Sequence, residues 1–559
     1  MQFQQKKKDK PESLFRYVSL GGVGEVNKNM HLYESGGEIL VVDCGVEFPD
    51  AETPGVDVVI PDFSYLVKNR QRVRAILITH GHEDHLGALP YLLGQINVPV
   101  YSSRLVRGFI ASKLEEFQLG GKADLRLIDP EGESVTLGPF RVSAFRINHS
   151  VPDSVGFCLE TASGKYFHVA DFKFDWSPVM DKPFDVHRLL DLCHGGVTAL
   201  FSDCLGAASD GYTRSEKNIE GVFDRIISQA AGQVFLTTIS SNISRMQQAI
   251  NASLRYNRRI CFVGHSIEKF SEVAQELGFL KFPKKMIVNV PHSLDFSPRD
   301  VTYIISGCYG QPESALGRVG RGEHRFLSLK KGATVIFSGD PSPPGAKESV
   351  DTLVDQLTAL GANVHYYETQ EDLHTSGHGS ERELAMLAAL VRPKYFVPIG
   401  GTTRHIFAYQ KMIEDLGFPA ASVFRLMPGQ FLNFSVRGAH IGEKLNLSGV
   451  YIDGSGLGDI GGQVLRERQI MANGGLLVIN ILIQNGQFSG RLFLLSRGFV
   501  SADPSLFPQI EKLVRELIRG DVKTENRHIL VKNLKRDLSK FLSRKVERHP
   551  LILVNFLEV

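Results

Sequence analysis

The stretch ITHGHEDHLGALPYL, residues 78–92, sets His80, His82, Asp84 and His85 within six residues of one another. It follows the strand-like run RAILITH (74–80) and continues into helix-type spacing between His85 and Leu93. Imidazole nitrogens and carboxylate oxygens at this density suit zinc or manganese, and a strand that turns into a helix projects them into one space. Two later strand-like runs end in the same chemistry: FRINHSVPDS (145–154) places His149 after one, and FHVADFKFD (167–175) places Asp171 after another. Either alone would be an ordinary cap or satisfied polar group. With the first cluster they complete a set of metal ligands.

Outward from this core, FRYVSLGG, MHLYES, EILVVDCG, VPVYSS, GFCLET and KYFHVAD read as short strands bounded by turn residues, with a helix over Leu105–Phe117. From about Leu200 to Arg392 strands are predicted at GQVFLTT, RRICFVG, KMIVNV, VTYIISG, ATVIFSG and ANVHYYE. Most are separated by helical segments such as Ile243–Tyr256 and Ser266–Leu277, the pattern of a parallel-sheet α/β unit. KYFVPIGG (394–401) then returns to the first layer. The Gly-rich DGSGLGDIGG (453–462) leads to a last unit with strands at GGLLVINILI, GRLFLLS and PLILVNFLEV and helices over Ser505–Arg519 and Val531–Phe541.

Length and composition agree with several folded domains. At 559 residues, with 43% hydrophobic and 22% charged residues, about three or four domains are expected. The six cysteines contain no CxxC pair and read as reduced core thiols. Lys+Arg 63 against Asp+Glu 61 gives a formal charge of only +2, so any nucleic-acid binding must come from local clefts. No apolar run reaches the roughly 18 residues that cross a bilayer, and MQFQQKKKDKPE lacks the apolar core of a secretory signal. A cytoplasmic protein with a basic N-terminal tail and no membrane partner is expected.

The ligand set resembles that of the metallo-β-lactamase superfamily, and the insertion after Asp171 resembles the β-CASP domain of its nucleic-acid-processing members. LGGVGEVNKNM, HGHEDHLGALPYLL, NHSVPDSVGF, DFKFD, GYTRSE, SSNISRMQQ, HTSGHGSERE, RPKYFVPI and SRGFV occur in the order of the ribonuclease J family, a resemblance covering nearly the whole chain. It implies an α/β fold: a metallo-β-lactamase αββα sandwich with an inserted α/β β-CASP domain and a small C-terminal α/β domain. The expected boundaries are a tail at 1–12, the metallo-β-lactamase domain at 13–198 and 393–450, the β-CASP domain at 199–392, a linker at 451–465 and the C-terminal domain at 466–559.

The resemblance assigns His80, His82 and His149 to a first metal, Asp84 and His85 to a second, and Asp171 to both. The cofactor is then one or two Zn2+ per chain, with Mn2+ or Mg2+ as alternatives. Asp43, in VVDCG, would orient the ligands from behind. Asp203 (FSDCLG) and His378 (SGHGS) match the β-CASP acid and histidine, and with Asp84 form the expected catalytic set. Ser241, Asn242, Ser376, Gly377, His378 and Gly379 would bind RNA or phosphate. The last four precede a helix opened by the capping box Ser380-x-x-Glu383, whose N-terminus offers a phosphate seat.

The chain also departs from the family pattern. Gly400, in PIGG, stands where the family carries a histidine that ligates the second metal, and His405 is the one nearby substitute. Cys204–Gly206, Tyr309–Pro312 and Ser244 replace further residues of the RNA path. The leading expectation is a metal-dependent ribonuclease cleaving RNA as a 5′-exonuclease, an endonuclease or both. A catalytically weakened RNA-binding or assembly paralogue is the second reading, and a small-molecule hydrolase the third. RNA is an expected partner, together with further copies of the chain in a homodimer or higher homo-oligomer, or a paralogue; the resemblance implies that the C-terminal unit contributes to dimerisation, burying the apolar stripe of the last helix (Val531, Leu534, Leu538, Phe541, Leu542) or its adjacent sheet.

Overall fold

The computed structural model describes residues 14–49, 53–341, 345–454, 456–457, 461–499, 503–518, 522 and 524–559. The basic tail expected at 1–12 lies outside them. The chain divides into two compact units, one formed by residues 1–47 and 60–449, the other by residues 48–59 and 450–559.

In the first unit an eight-stranded sheet runs in the order Gly438–Lys444, Gln430–Ser435, Phe15–Gly21, Met30–Ser35, Glu38–Val42, Val73–Leu77, Val100–Ser102 and Leu125–Leu127. A six-stranded sheet runs Tyr395–Ile399, Ala199–Asp203, Gly164–Val169, Val155–Thr161, Phe140–Arg146 and Val135–Leu137. The alternating apolar residues of both meet in one aromatic core, where Phe201 lies 4.4 Å from Tyr17 and 5.1 Å from Tyr33 between ring centroids. Burial of such rings is the main favourable term holding two sheets together. The expected ligands leave the carboxyl ends of these strands: Asp43 follows Glu38–Val42, His80 follows Val73–Leu77, His149 follows Phe140–Arg146, and Asp171 follows Gly164–Val169.

The insertion carries a five-stranded parallel sheet in the order Arg259–Val263, Val301–Ile305, Val234–Thr237, Thr334–Phe337, Asn363–His365. Three sequence expectations change. Ala199–Asp203 pairs with both Gly164–Val169 and Tyr395–Ile399 in the six-stranded sheet, so the first part of the metal-binding layer runs past residue 198 to Asp203. KMIVNV is not a strand of this sheet. A 3-10 turn over Lys284–Met286 and a single bridge from Ile287 to Ile260 precede the helix Val290–Ser293, whose first turn contains Pro291 and whose cap Asn289 accepts from His292 N–H. The helix expected over His85–Leu93 is broken into Glu83–Leu86 and Leu89–Leu93.

The second unit has a three-stranded sheet, Gln487–Arg497, Leu476–Gln484 and Leu551–Glu558, packed on the helices Leu506–Leu517 and Arg527–Val546. Leu534, Leu538 and Leu542 are fully buried in that core, so the helix stripe serves this unit's own packing. On the sheet, the apolar residues Phe493, Leu495, Leu553 and Leu557 are exposed. The helix Gly462–Gly474 begins inside the expected linker. Residues 48–59 belong with this unit rather than the first, since Asp57 N–H donates to Ile452 O at 2.8 Å and Val56 and Val59 pack on Leu465. No helix among the described residues is long and apolar enough to cross a membrane.

Residues 44–46 lie against the metal-ligand segment, with Cys44 N–H donating to His85 O at 2.7 Å and Val46 N–H to Glu83 O at 3.1 Å. A Cβ on Gly45 would stand 1.6 Å from Asp84 O, so only glycine permits this approach. Gly45→Ala is expected to destabilise the fold by about 1–3 kcal/mol or more and to loosen metal retention. Urea unfolding and metal content of the variant check this, and wild-type values of both would refute it.

Candidate metal centre and active site

His80, His82, His149 and Asp171 gather their donor atoms into one cluster, and Asp84, His85 and Asp171 form a second that shares the Asp171 carboxylate. In the first, His82 Nδ1 lies 3.2 Å from His80 Nε2 and 3.1 Å from His149 Nε2. Asp171 Oδ2 lies 3.6 Å from His80 Nε2 and 3.7 Å from His149 Nε2. Donors on a tetrahedron about 2.1 Å from a central ion stand about 3.4 Å apart, so the four atoms match the edges of a zinc-sized tetrahedron. In the second cluster His85 Nε2 lies 3.6 Å from Asp84 Oδ2 and 3.4 Å from Asp171 Oδ2.

The outer ring nitrogens fix which inner nitrogen faces the cluster. His85 Nδ1 lies 2.8 Å from Asp43 Oδ2, His149 Nδ1 2.8 Å from Gly377 O, and His80 Nδ1 3.0 Å from Thr79 Oγ1. Asp43 in turn accepts the Thr79 N–H at 2.8 Å. Such contacts set the tautomer and aim the ligating lone pair. His82 is turned the other way, its Nε2 3.2 Å from Ser150 Oγ.

Burial holds His80 and His149 well below the usual histidine range and His82 at about 3, so all three are the neutral imidazoles that ligate metals. Burial also opposes charge on His85, but Asp171, Asp84 and Asp43 outweigh it and raise the ring well above its usual value. Burial lifts Asp84 to about 6, with His85 acting the other way. Asp43, Asp171 and Asp203 are all buried around this space. Buried carboxylates need a compensating cation, and the donor set fits a divalent metal.

The carboxylate of Asp203 and the ring of His378 meet 175 positions apart in sequence, with Nδ1 2.7 Å from Oδ2. The inner Nε2 of His378 lies 3.8 Å from Asp171 Oδ2. Burial disfavours its charge, yet Asp203 and Asp171 more than compensate and raise it to about 9.

The phosphate seat expected on the helix amides is not formed there. Gly379 N–H donates to Phe172 O, Glu381 N–H to Ser209 O and Arg382 N–H to Gly211 O. Ser380 N–H is taken by Glu383 Oε2, and His378 N–H by Ser376 Oγ. Gly377 contributes its carbonyl to His149, and a Cβ there would meet the His149 ring at 2.5 Å. Asn242 is buried, and its side chain caps the helix Ile243–Arg255 by accepting from Arg245 N–H. Ser241 is buried beside it. His405 does not replace the missing ligand. Its Nδ1 accepts from Thr402 N–H at 3.2 Å in a capping box, and its Nε2 lies 3.2 Å from Arg404 Nε.

Three charged residues inside quoted motifs received no role from the sequence. Lys173 donates to Ser376 O at 2.9 Å and faces Glu216 at 3.4 Å. Glu216 accepts from Arg245 Nη2 at 2.7 Å, and Arg245 Nη1 donates to Ser338 Oγ at 2.6 Å. All three are buried, and the network holds the loop that carries Gly377 and His378. Asn29 is the other addition: its N–H donates to Asp84 O at 3.0 Å, and its Nδ2 lies 3.1 Å from His85 Nε2.

A two-sheet sandwich with these donors at its strand ends defines a metallo-hydrolase, and the family model Metallo-beta-lactamase superfamily matches residues 23–225. The models Ribonuclease J, beta-CASP domain, Zn-dependent metallo-hydrolase RNA specificity domain and Ribonuclease J C-terminal domain match residues 231–357, 368–423 and 463–559 respectively. The chain is 34% identical to Ribonuclease J2 of Bacillus subtilis over 97% of its own length and 98% of the relative's. It is 35% identical to Ribonuclease J of Thermus thermophilus over 97% and 95%. The chain belongs to the ribonuclease J family. A crystal structure of a protein of unknown function from Enterococcus faecalis aligns with 76% of this chain and 99% of its own at a TM-score of 0.51 and 13% identity, a likeness of fold. A metal cofactor belongs to this site.

Burial raises the Glu216 carboxyl, but Arg245 and Lys173 outweigh it and hold the group below the usual carboxylate range. The unfolded chain therefore takes up the proton first. The stability this network contributes is complete above the ordinary glutamate value, about 4.3, and is lost as pH falls through the lower folded value. Glu216→Gln is expected to cost about 3–5 kcal/mol at neutral pH and less in acid. Denaturant melts at neutral and acid pH check both the size and the sign, and an equal loss at the two would contradict the assignment.

Proposed function

We propose that the protein is a metal-dependent ribonuclease that hydrolyses RNA phosphodiester bonds, with zinc held by His80, His82, His149 and Asp171 and a second ion by Asp84, His85 and Asp171. The observation that carries the reading is the meeting of the Asp203–His378 pair with Asp171, 3.8 Å from His378 Nε2. Divalent metal at such a site supplies Lewis acidity toward a phosphoryl oxygen and activates water.

The chain's own residues do the rest. Asp203 holds His378 Nδ1, leaving a proton at Nε2 on the side that faces the ligands. From there it passes to the departing 3′ oxygen as the P–O bond breaks, while the water oxygen joins the phosphorus and the proton that water gives up leaves to solvent. Asp43 and Gly377 keep His85 and His149 in ligating orientation. Low-dielectric walls strengthen each of these contacts. A cytoplasmic setting fits RNA as the substrate. The exposed sheet face of Phe493, Leu495, Leu553 and Leu557 suits a second copy of the chain. The non-catalytic reading is not favoured, since the first donor set and the Asp203–His378 pair are both intact beside Gly400.

Gly400 has φ +68°, and a Cβ built on it would stand 3.8 Å from Asp171 Oδ1 and 3.5 Å from Asp203 Oδ1. A side chain there would therefore point into the site, at a left-handed strain of about 1–2 kcal/mol. Elemental analysis of metal-replete protein is expected to give at least one zinc per chain, and RNA cleavage should keep rising with Zn2+ or Mn2+ beyond saturation of the first site. Gly400→His should lower that second requirement by about 10-fold or more. Asp203→Asn should reduce kcat by about 100-fold or more with the zinc retained. Protein without stoichiometric metal, or wild type that cleaves no RNA at any metal concentration, overturns the reading.

A further inference from the structure

Trp176 is the only tryptophan in the chain and is 59% exposed. It follows Asp171 by five residues on one loop, which places it within about 18 Å of that ligand. One face of the indole stacks on Phe174, with centroids 5.7 Å apart and planes at 26°. Phe174 is itself fixed, packed 4.3 Å from Phe184 and donating its N–H to Glu383 Oε1 at 2.8 Å. The indole also borders a cavity of about 310 Å3 whose other walls include Arg146, Lys182, Phe184 and His187.

This cavity is built from the segments that carry metal ligands. Asn148, the residue before His149, donates its side-chain amide to Lys182 O at 2.9 Å, and its carbonyl accepts from Lys173 N–H at 2.8 Å. Arg146 ends the strand that leads to His149. The cations around the cavity already face carboxylates: Arg146 Nη1 donates to Asp181 Oδ1 at 2.6 Å, and Lys182 Nζ to Glu131 Oε1 at 2.5 Å. A phosphate gains little from cations so paired. An aromatic face beside an apolar-walled cavity suits a base instead, because every base has a π-face and single-stranded RNA is held largely by such stacking.

We propose that Trp176 is a stacking platform for one unpaired nucleobase of the RNA strand, a subsite beside the metal centre. The proposal rests on the ribonuclease reading. The contact is made to the base and not to the backbone, so it adds little to the salt dependence of binding.

Because Trp176 is the sole tryptophan, the protein's indole emission reports this site alone. The probe is a 2′-O-methyl phosphorothioate oligoadenylate, which resists hydrolysis, titrated into the full metal-loaded chain. Anisotropy of a 3′-labelled copy measures binding independently. Emission is expected to be quenched over the same concentration range as the anisotropy rises. Trp176→Ala should weaken binding by about 5- to 100-fold, the range of one base–aromatic stack, and Trp176→Phe by less. An abasic nucleotide at one position should abolish the quench and cost no further affinity in Trp176→Ala. Circular dichroism and zinc content show whether the variants remain folded, as expected for an exposed side chain. Binding by anisotropy with unchanged emission, or equal affinity of Trp176→Ala and wild type, overturns the subsite and leaves the ribonuclease reading standing. No binding by anisotropy at any concentration overturns both.

Discussion

The carboxylate of Asp171 is the point on which the site depends. Its Oδ2 lies between 3.4 and 3.8 Å from the inner nitrogens of His80, His85, His149 and His378. Those rings arrive on three separate segments, His80 and His85 sharing one, and one buried charge brings them within reach of one another. Burial resists ionisation of Asp171, and the attraction of His85 and His378 still holds it well below the usual carboxylate range. A carboxylate kept ionised in a dry space is a strong ligand and an expensive charge to leave uncompensated. The sandwich provides the space: strands of two sheets end side by side, and every expected ligand sits on the short segment after one of them.

A second buried network answers a different need. The loop 374–379 has to present Gly377 O to His149 and the His378 ring to Asp203, and it has no regular structure of its own across those positions. Lys173 on Ser376 O and Arg245 on Leu373 O hold it from behind, with Glu216 balancing both cations. Buried ion pairs are weak contributors to net stability but exact a large cost when one partner is lost. That asymmetry suits a part whose geometry matters more than its contribution to the fold. The amides of the same loop serve this internal bonding, and so the anion seat that the capping box suggested does not arise from them.

Gly400 shows how backbone and side chain divide a role. Its N–H donates to Gly22 O at 2.8 Å, and its left-handed φ is one that glycine adopts without steric cost. The Cα–Cβ direction still points at Asp171 and Asp203. The strand end has thus kept the direction of a ligand position without the ligand, and the second donor set is left with Asp84, His85 and Asp171.

The sequence by itself determined the donor set. His80, His82, Asp84 and His85 are legible because their density in one segment exceeds what a surface turn explains, His149 and Asp171 because they complete that set from later strand ends, and Asp203 and His378 only through the resemblance of their motifs to the family's. It also determined most strands of the four sheets described, since alternation of apolar residues is a local property. Residues 48–59 were not legible as part of the C-terminal unit, because their pairing with residues near 452 spans about four hundred positions and leaves no periodic trace. KMIVNV carried the composition of a strand, and its fate was decided by Pro291 and the Asn289 cap. Lys173, Glu216 and Arg245 were visible as charges, but the sequence could not say which charges meet. Hydrogen-bond partners, the spent amides of the 376–382 loop and the turned-away His405 depend on distances across the fold. Composition and spacing fix which atoms are available. Only packing fixes which of them are already taken.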